Sequence, residues 1–214
     1  MPGTPAGQLA GNAGSSDLNF SKGAPVSTVL KGIGDIELKK NNFGLFARAK
    51  FWRDFALTDQ SRPYGNTPNR FASGAALSDN GYAAEAKFSN AQLVDAYVFG
   101  EFDVGAQAPL GVKLGKQFLN WGGARMVGGG INVINPLTVP GAMRPGATPE
   151  ESKLPVGMLS ANLQSSKTWG LEGFVQYESV NTVLAGCGTF NGVPNFAPIG
   201  CNYVSVLPTA SDPV

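Results

Sequence analysis

The stretch that decides the fold is Val94-Asp95-Ala96-Tyr97-Val98-Phe99-Gly100-Glu101-Phe102-Asp103-Val104. Val94, Ala96, Val98, Gly100, Phe102 and Val104 fall on one face of an extended chain. Asp95, Tyr97, Phe99, Glu101 and Asp103 fall on the other. A period of two is the signature of a strand with one apolar face. Working outward, Gly105 to Pro109 reads as a short turn, and 110–121 alternates again, with Leu110, Val112, Leu114 and Phe118 opposite Lys113, Gly115, Gln117, Leu119 and Trp121. Lys116 and Asn120 break the apolar side of that segment.

Upstream, 26–39 and 43–54 alternate on either side of the turn signal Lys40-Asn41-Asn42 and read as a hairpin. Downstream, 157–164 and 168–178 alternate on either side of Ser165-Ser166-Lys167. Six strands therefore emerge, joined alternately by short turns and by long segments at 55–90 and 122–156, with 1–25 as a leader and 179–214 as a final loop. All short turns fall at one end of such a sheet and all long loops at the other. Outer-membrane barrels have that asymmetry, and a tilted spanning strand needs about 9–11 residues. A soluble antiparallel sandwich explains the alternation equally well but not the repeated long loops on one side. The expected fold class is all-β: an antiparallel up-and-down transmembrane β-barrel to which this chain supplies about six strands. Six are too few to close, since small single-chain barrels have 8. Trp169 and Tyr177, at opposite ends of the last apolar face, suit aromatic girdles.

Composition excludes much chemistry. The 214 residues contain no histidine, which removes Ser-His-Asp and Cys-His mechanisms and His-ligated metals. Two cysteines cannot build a structural zinc site. No enzyme, metal or cofactor is expected. A net charge of +1 with 14% charged residues gives no nucleic-acid footprint. No apolar run approaches the roughly 20 residues of a spanning helix. The start, Met1-Pro2-Gly3-Thr4, lacks the basic and apolar regions of a signal peptide. Both ends read as loops, or as the ends of a piece cut from a longer chain.

The stretches Leu93 to Gly100, Leu114 to Gly122, Gly129 to Pro136, Arg144-Pro145-Gly146, Leu154-Pro155-Val156 and Leu171 to Glu178 together resemble the thirteen-hundred-and-two domain-of-unknown-function family of Gram-negative bacteria. The similarity runs from about Leu18 to Cys201, nearly the whole chain. It implies the N-terminal portion of a larger barrel in the bacterial outer membrane, surrounded by lipid. It also implies association with a periplasmic lipoprotein and a resistance-nodulation-division exporter, and movement of hydrophobic or lipid-like cargo. Oligomers stay open.

The polar face carries Lys31, Asp35, Glu37, Arg48, Lys50, Asp54, Asp95, Glu101, Asp103, Lys113, Gln117, Glu172 and Glu178. Such a wall is either a solute path with a mild cation preference or a ladder of charges that keeps the interior wet. Phe46, Trp52, Tyr97 and Phe99 on the same face either pack on an inserted plug or meet an apolar ligand. The long segment 122–156, with Gly128-Gly129-Gly130, is read as a constriction loop folded inward, where Arg125, Asn132, Asn135 and Arg144 meet the acidic wall; an external loop packed on its neighbours is the alternative. The triple glycine is no phosphate loop, because no Gly-Lys-Ser/Thr follows. Gly32 and Gly34, inside a strand, suit curvature or close packing. For an exported barrel, Cys187 and Cys201 are expected to form a disulfide. The functional expectation is a channel or transport component for small or apolar solutes. The alternatives are a non-conducting barrel that docks a lipoprotein or exporter, and a soluble sandwich that binds a partner.

Overall fold

The computed structural model describes residues 19–62, 76–105, 108–121, 134–165 and 168–192. Six strands form one antiparallel sheet in simple sequence order: β1 (Val29–Lys40), β2 (Phe43–Asp54), β3 (Ser89–Asp103), β4 (Pro109–Gln117), β5 (Val156–Gln164) and β6 (Gly170–Gln176). All neighbouring pairs are antiparallel, so the up-and-down, all-β expectation holds. The sheet is open, with β1 and β6 as its edges. Two helices are short, α1 (Phe55–Thr58) and α2 (Val139–Met143), and two 3-10 turns lie at Ala84–Ala86 and Pro149–Ser152. Among the described residues no helix is long and apolar enough to cross a membrane.

The alternation dictates the pairing. β1 and β2 close on Asn41-Asn42, where Asn41 takes φ 54°, a left-handed conformation that asparagine tolerates. On the apolar side the register aligns Leu38, Leu45, Val98, Leu114, Leu159 and Val175 in one row across all six strands. Every one of the six is exposed, from 42% at Leu159 to 67% at Val175. A sandwich would bury this row under a second sheet. Gly32 sits on the same face, and the Phe51 ring lies so close that a Cβ there would be 2.4 Å from it. Close packing by an aromatic neighbour is thus the reason for that glycine.

Three expectations are corrected. β3 begins at Ser89, inside the segment read as loop 55–90, and a bulge opposite Arg48/Ala49 inserts one extra residue. Val94 therefore leaves the apolar face and is buried, while Leu93 pairs with Ala49 and is 56% exposed on that face. β4 stops at Gln117 rather than 121, so Leu119 turns into a buried cluster with Val156 and Met158. Asp54 is the N-cap of α1: its carboxylate accepts from the Ala56 and Thr28 amides and from the Ser27 hydroxyl, leaving it buried and engaged instead of lining a path.

The buried clusters lie at the long-loop end. One joins Leu77, Tyr82, Ala86 and Phe88; the other joins Leu119, Val156 and Met158, with Trp121, Ile134, Phe174 and Val180 packed against it. Trp169 and Tyr177 flank β6 at its two ends and are 59% and 63% exposed.

Candidate functional site

The sheet's polar face is the candidate site. Antiparallel register sets its side chains in rows. Asp35, Arg48 and Asp95 form one. Glu37, Phe46, Tyr97, Gly115, Met158 and Gln176 form the next, and Gly44, Phe99, Lys113, Ser160 and Phe174 the one after, with Lys39 beside Gly44. Arg48 bridges Asp35 at 2.9 Å and Asp95 at 3.5 Å, and Lys39 pairs with Glu101 at 2.7 Å. Phe46 and Tyr97 stack at 5.1 Å, with Phe99 tilted 6.2 Å from Tyr97. Arg48 lies over Phe46 and Lys113 over Tyr97, each 5.2 Å from the ring centre. The sequence-selected wall is therefore brought together on one surface, and much of its charge is spent in cross-strand pairs.

Toward the long-loop end, two loop segments cover this face. Lys50 of β2 is buried and meets the buried Glu85 of the first 3-10 turn at 2.6 Å. The Gln92 amide also donates to Glu85. Arg144, just after α2, donates through Nη2 to the Glu85 carbonyl at 2.9 Å and lies 3.9 Å above the Trp52 ring. Its Nη1 stands 3.9 Å from Glu85 Oε2, and neither atom has a hydrogen-bond partner. On the far side Lys31 of β1 holds Glu151 at 2.7 Å and the Gly146 carbonyl at 2.6 Å. Glu151 also accepts from the Thr148 amide, completing a capping box over Thr148–Glu151. Burial alone would raise the Glu151 pKa. The hydrogen bonds from Lys31 and the Thr148 amide and the charges of Lys31 and Lys50 outweigh it and hold the carboxyl below its usual range.

A third fastening lies over β4 and β5. Asn135, 2% exposed, accepts from the Leu119 amide and donates to the carbonyls of Gln117 and Leu154. Gln117, 3% exposed, donates to the Met158 carbonyl and accepts from the Ser160 hydroxyl. Of the expected constriction residues, Arg144 thus meets an acidic partner and Asn135 binds backbone. Arg125 and Asn132 lie outside the described residues, as does Cys201. Cys187 is fully buried, its carbonyl accepts from the Tyr82 hydroxyl, and no free cysteine occurs among the described residues.

Glu178 leaves the wall, and Glu101, Asp103 and Glu172 lie at its rim. Glu178 lies past the end of β6 and pairs at 3.1 Å with Lys116, whose register places it on the apolar face; this pair explains the lysine that broke the alternation. Glu172 and Glu101 share the outermost polar row with Asn162 and Gly111, and Asp103 ends β3 opposite Pro109. Sequence reasoning missed Glu85 and Glu151. Thr148-Pro149-Glu150-Glu151 carried a readable capping-box signal; Glu85 carried none. Among the described residues no group of acidic or cysteine side chains could hold a metal.

One family model, described as "Protein of unknown function (DUF1302)", matches residues 2–212. No curated protein and no solved structure matches.

Proposed function

The chain belongs to the DUF1302 family, and from that membership and the two faces of its sheet we propose that it forms part of a β-barrel in the bacterial outer membrane that passes small or apolar solutes. The observation that carries this reading is the exposed row Leu38, Leu45, Val98, Leu114, Leu159 and Val175, backed by a charged and aromatic face. Water penalises such an apolar surface, whereas lipid accommodates it. The polar face then lines an aqueous interior. The open edges of β1 and β6 require further strands, because each unsatisfied backbone group in hydrocarbon costs several kcal/mol. Those strands come from the same polypeptide in this reading; the intact mass of detergent-extracted native protein distinguishes that from several copies closing together.

The clamp of Lys50, Glu85 and Arg144 holds two loop segments over the polar face, so the resting pore is narrow. Deleting 126–148 is expected to raise conductance in a planar bilayer. Unchanged conductance would overturn the constriction; no ion conductance at all, with or without the loop, would overturn the solute path. The latter result would favour a second reading supported by the same covering loops: a non-conducting barrel that docks a periplasmic lipoprotein or exporter. A Cys187–Cys201 bridge belongs to this proposal and is supported by the burial of Cys187.

A further inference from the structure

The apolar face carries a groove near the short turns. One row closer to those turns than the exposed leucine and valine row, the register sets Lys40, Phe43, Gly100 and Val112 side by side across β1 to β4. Around Gly100, which has no side chain to fill the space, lies a cavity of about 470 Å³. Gly100 and Val112 form its floor. Leu45, Val98 and Leu114 wall it on one side. Phe43 and Phe102, edge to face at 5.5 Å, wall it on the other, and all five of these side chains are exposed. Lys40, also exposed, lines its β1 end.

Charge on this face is uneven in the same place. Its strands carry three cations, Lys40, Arg53 and Lys116. The two at the long-loop end are neutralised, Arg53 by Asp59 at 2.7 Å and Lys116 by Glu178 at 3.1 Å. Lys40, at the short-turn end, has no ion pair among the described residues. A lysine on a lipid-facing surface without a carboxylate of its own takes its counter-charge from the membrane surface. We propose that the groove seats one acyl chain of an anionic phospholipid, with the lipid's phosphate at the Lys40 ammonium. Short turns face the periplasm in such barrels, so groove and lysine lie in the phospholipid leaflet. The apolar lining takes the chain, and a lysine binds phosphate as a point charge. This inference rests on the membrane reading and adds to it one lipid of defined charge at a defined place.

The test is native mass spectrometry of the full-length protein in detergent, titrated with phosphatidylglycerol and, separately, phosphatidylcholine. The first phosphatidylglycerol should bind about fivefold more tightly, the worth of one lysine near an anionic headgroup. Lys40→Gln should bring the two lipids to equal affinity, whereas Lys116→Gln, whose charge is already met by Glu178, should keep the preference. Val112→Trp, from the groove floor, should weaken both lipids several-fold; if that variant fails to fold, the Lys40 arm still decides. Equal binding of the two lipids by the wild type, a preference kept in K40Q, or a preference lost equally in K116Q would each overturn the proposal. Insertion of the same sample into vesicles reports the membrane reading separately: a protein that does not insert sinks that reading, and one that inserts without preferring phosphatidylglycerol sinks only the lipid site.

Discussion

Replacing Val98 by arginine separates lipid from water at the apolar face. On β3 that face runs from Leu93 to Phe102, eight ladder steps once the extra residue at the bulge is set aside. At a rise of about 3.3 Å per residue and a tilt of about 40°, each step climbs about 2.5 Å along the membrane normal. The stretch thus spans about 20 Å, most of the roughly 25 Å apolar band of a barrel. Val98 is four steps from Phe102, about 10 Å inside the band and near its middle. An arginine there costs about 2–4 kcal/mol in lipid, which reduces the folded-to-unfolded ratio by roughly thirtyfold to several hundredfold. In water the same exposed position, 49% accessible, would change stability by less than about 0.5 kcal/mol. The assay is urea unfolding of the full-length protein in phospholipid vesicles. Asn162→Arg, exposed on the polar face beside Glu172, is the control and should leave the midpoint unchanged. Equal midpoints for V98R and wild type would refute the lipid assignment.

Other outcomes follow from the clamp and the sheet. Lys50→Met strands the buried Glu85 carboxylate, with Arg144 only 3.9 Å away as partial compensation. A loss of about 3–5 kcal/mol is expected, smaller when combined with Glu85→Gln, read as faster hydrogen exchange at 84–86. The Glu151 carboxyl titrates below its ordinary value of 4.5, so the stability it gives the loop is complete above that pH and is lost as the pH falls through the lower, folded-state value. Hydrogen exchange over 144–152 should therefore show constant protection from pH 7 to about 5 and a drop only in stronger acid. Gly115→Ala places a Cβ 2.2 Å from the Ala96 carbonyl at φ 142° and should break the β3–β4 pairing locally, lowering the unfolding free energy by more than about 1 kcal/mol, read as a lower urea midpoint.

Much of the fold was legible because a period of two survives wherever one face is apolar. β2 was bounded correctly at 43–54, and the six-strand order required only the alternation and the short turns. Val94 was misplaced because a bulge adds a residue without leaving a mark in the pattern. Lys116 looked like an error of alternation until Glu178 arrived from 62 positions later in the chain. The polar wall was readable from parity, whereas the clamp was not. Glu85 lies in a segment with no period, and its partners Lys50 and Arg144 meet it only through tertiary folding. Asn135 looked like a solute-facing residue because its sequence context, a turn-prone Asn-Pro pair, says nothing of the three backbone groups it binds.

The most direct test of the central claim is a nitroxide scan of positions 95 to 102 on β3, in the full-length protein in lipid vesicles. Collision with oxygen, which concentrates in the bilayer, should peak at 96, 98, 100 and 102, and collision with a water-soluble nickel chelate should peak at the odd positions. Equal access of both reagents along the strand, or oxygen peaks at the odd positions, would contradict a sheet whose apolar face meets lipid.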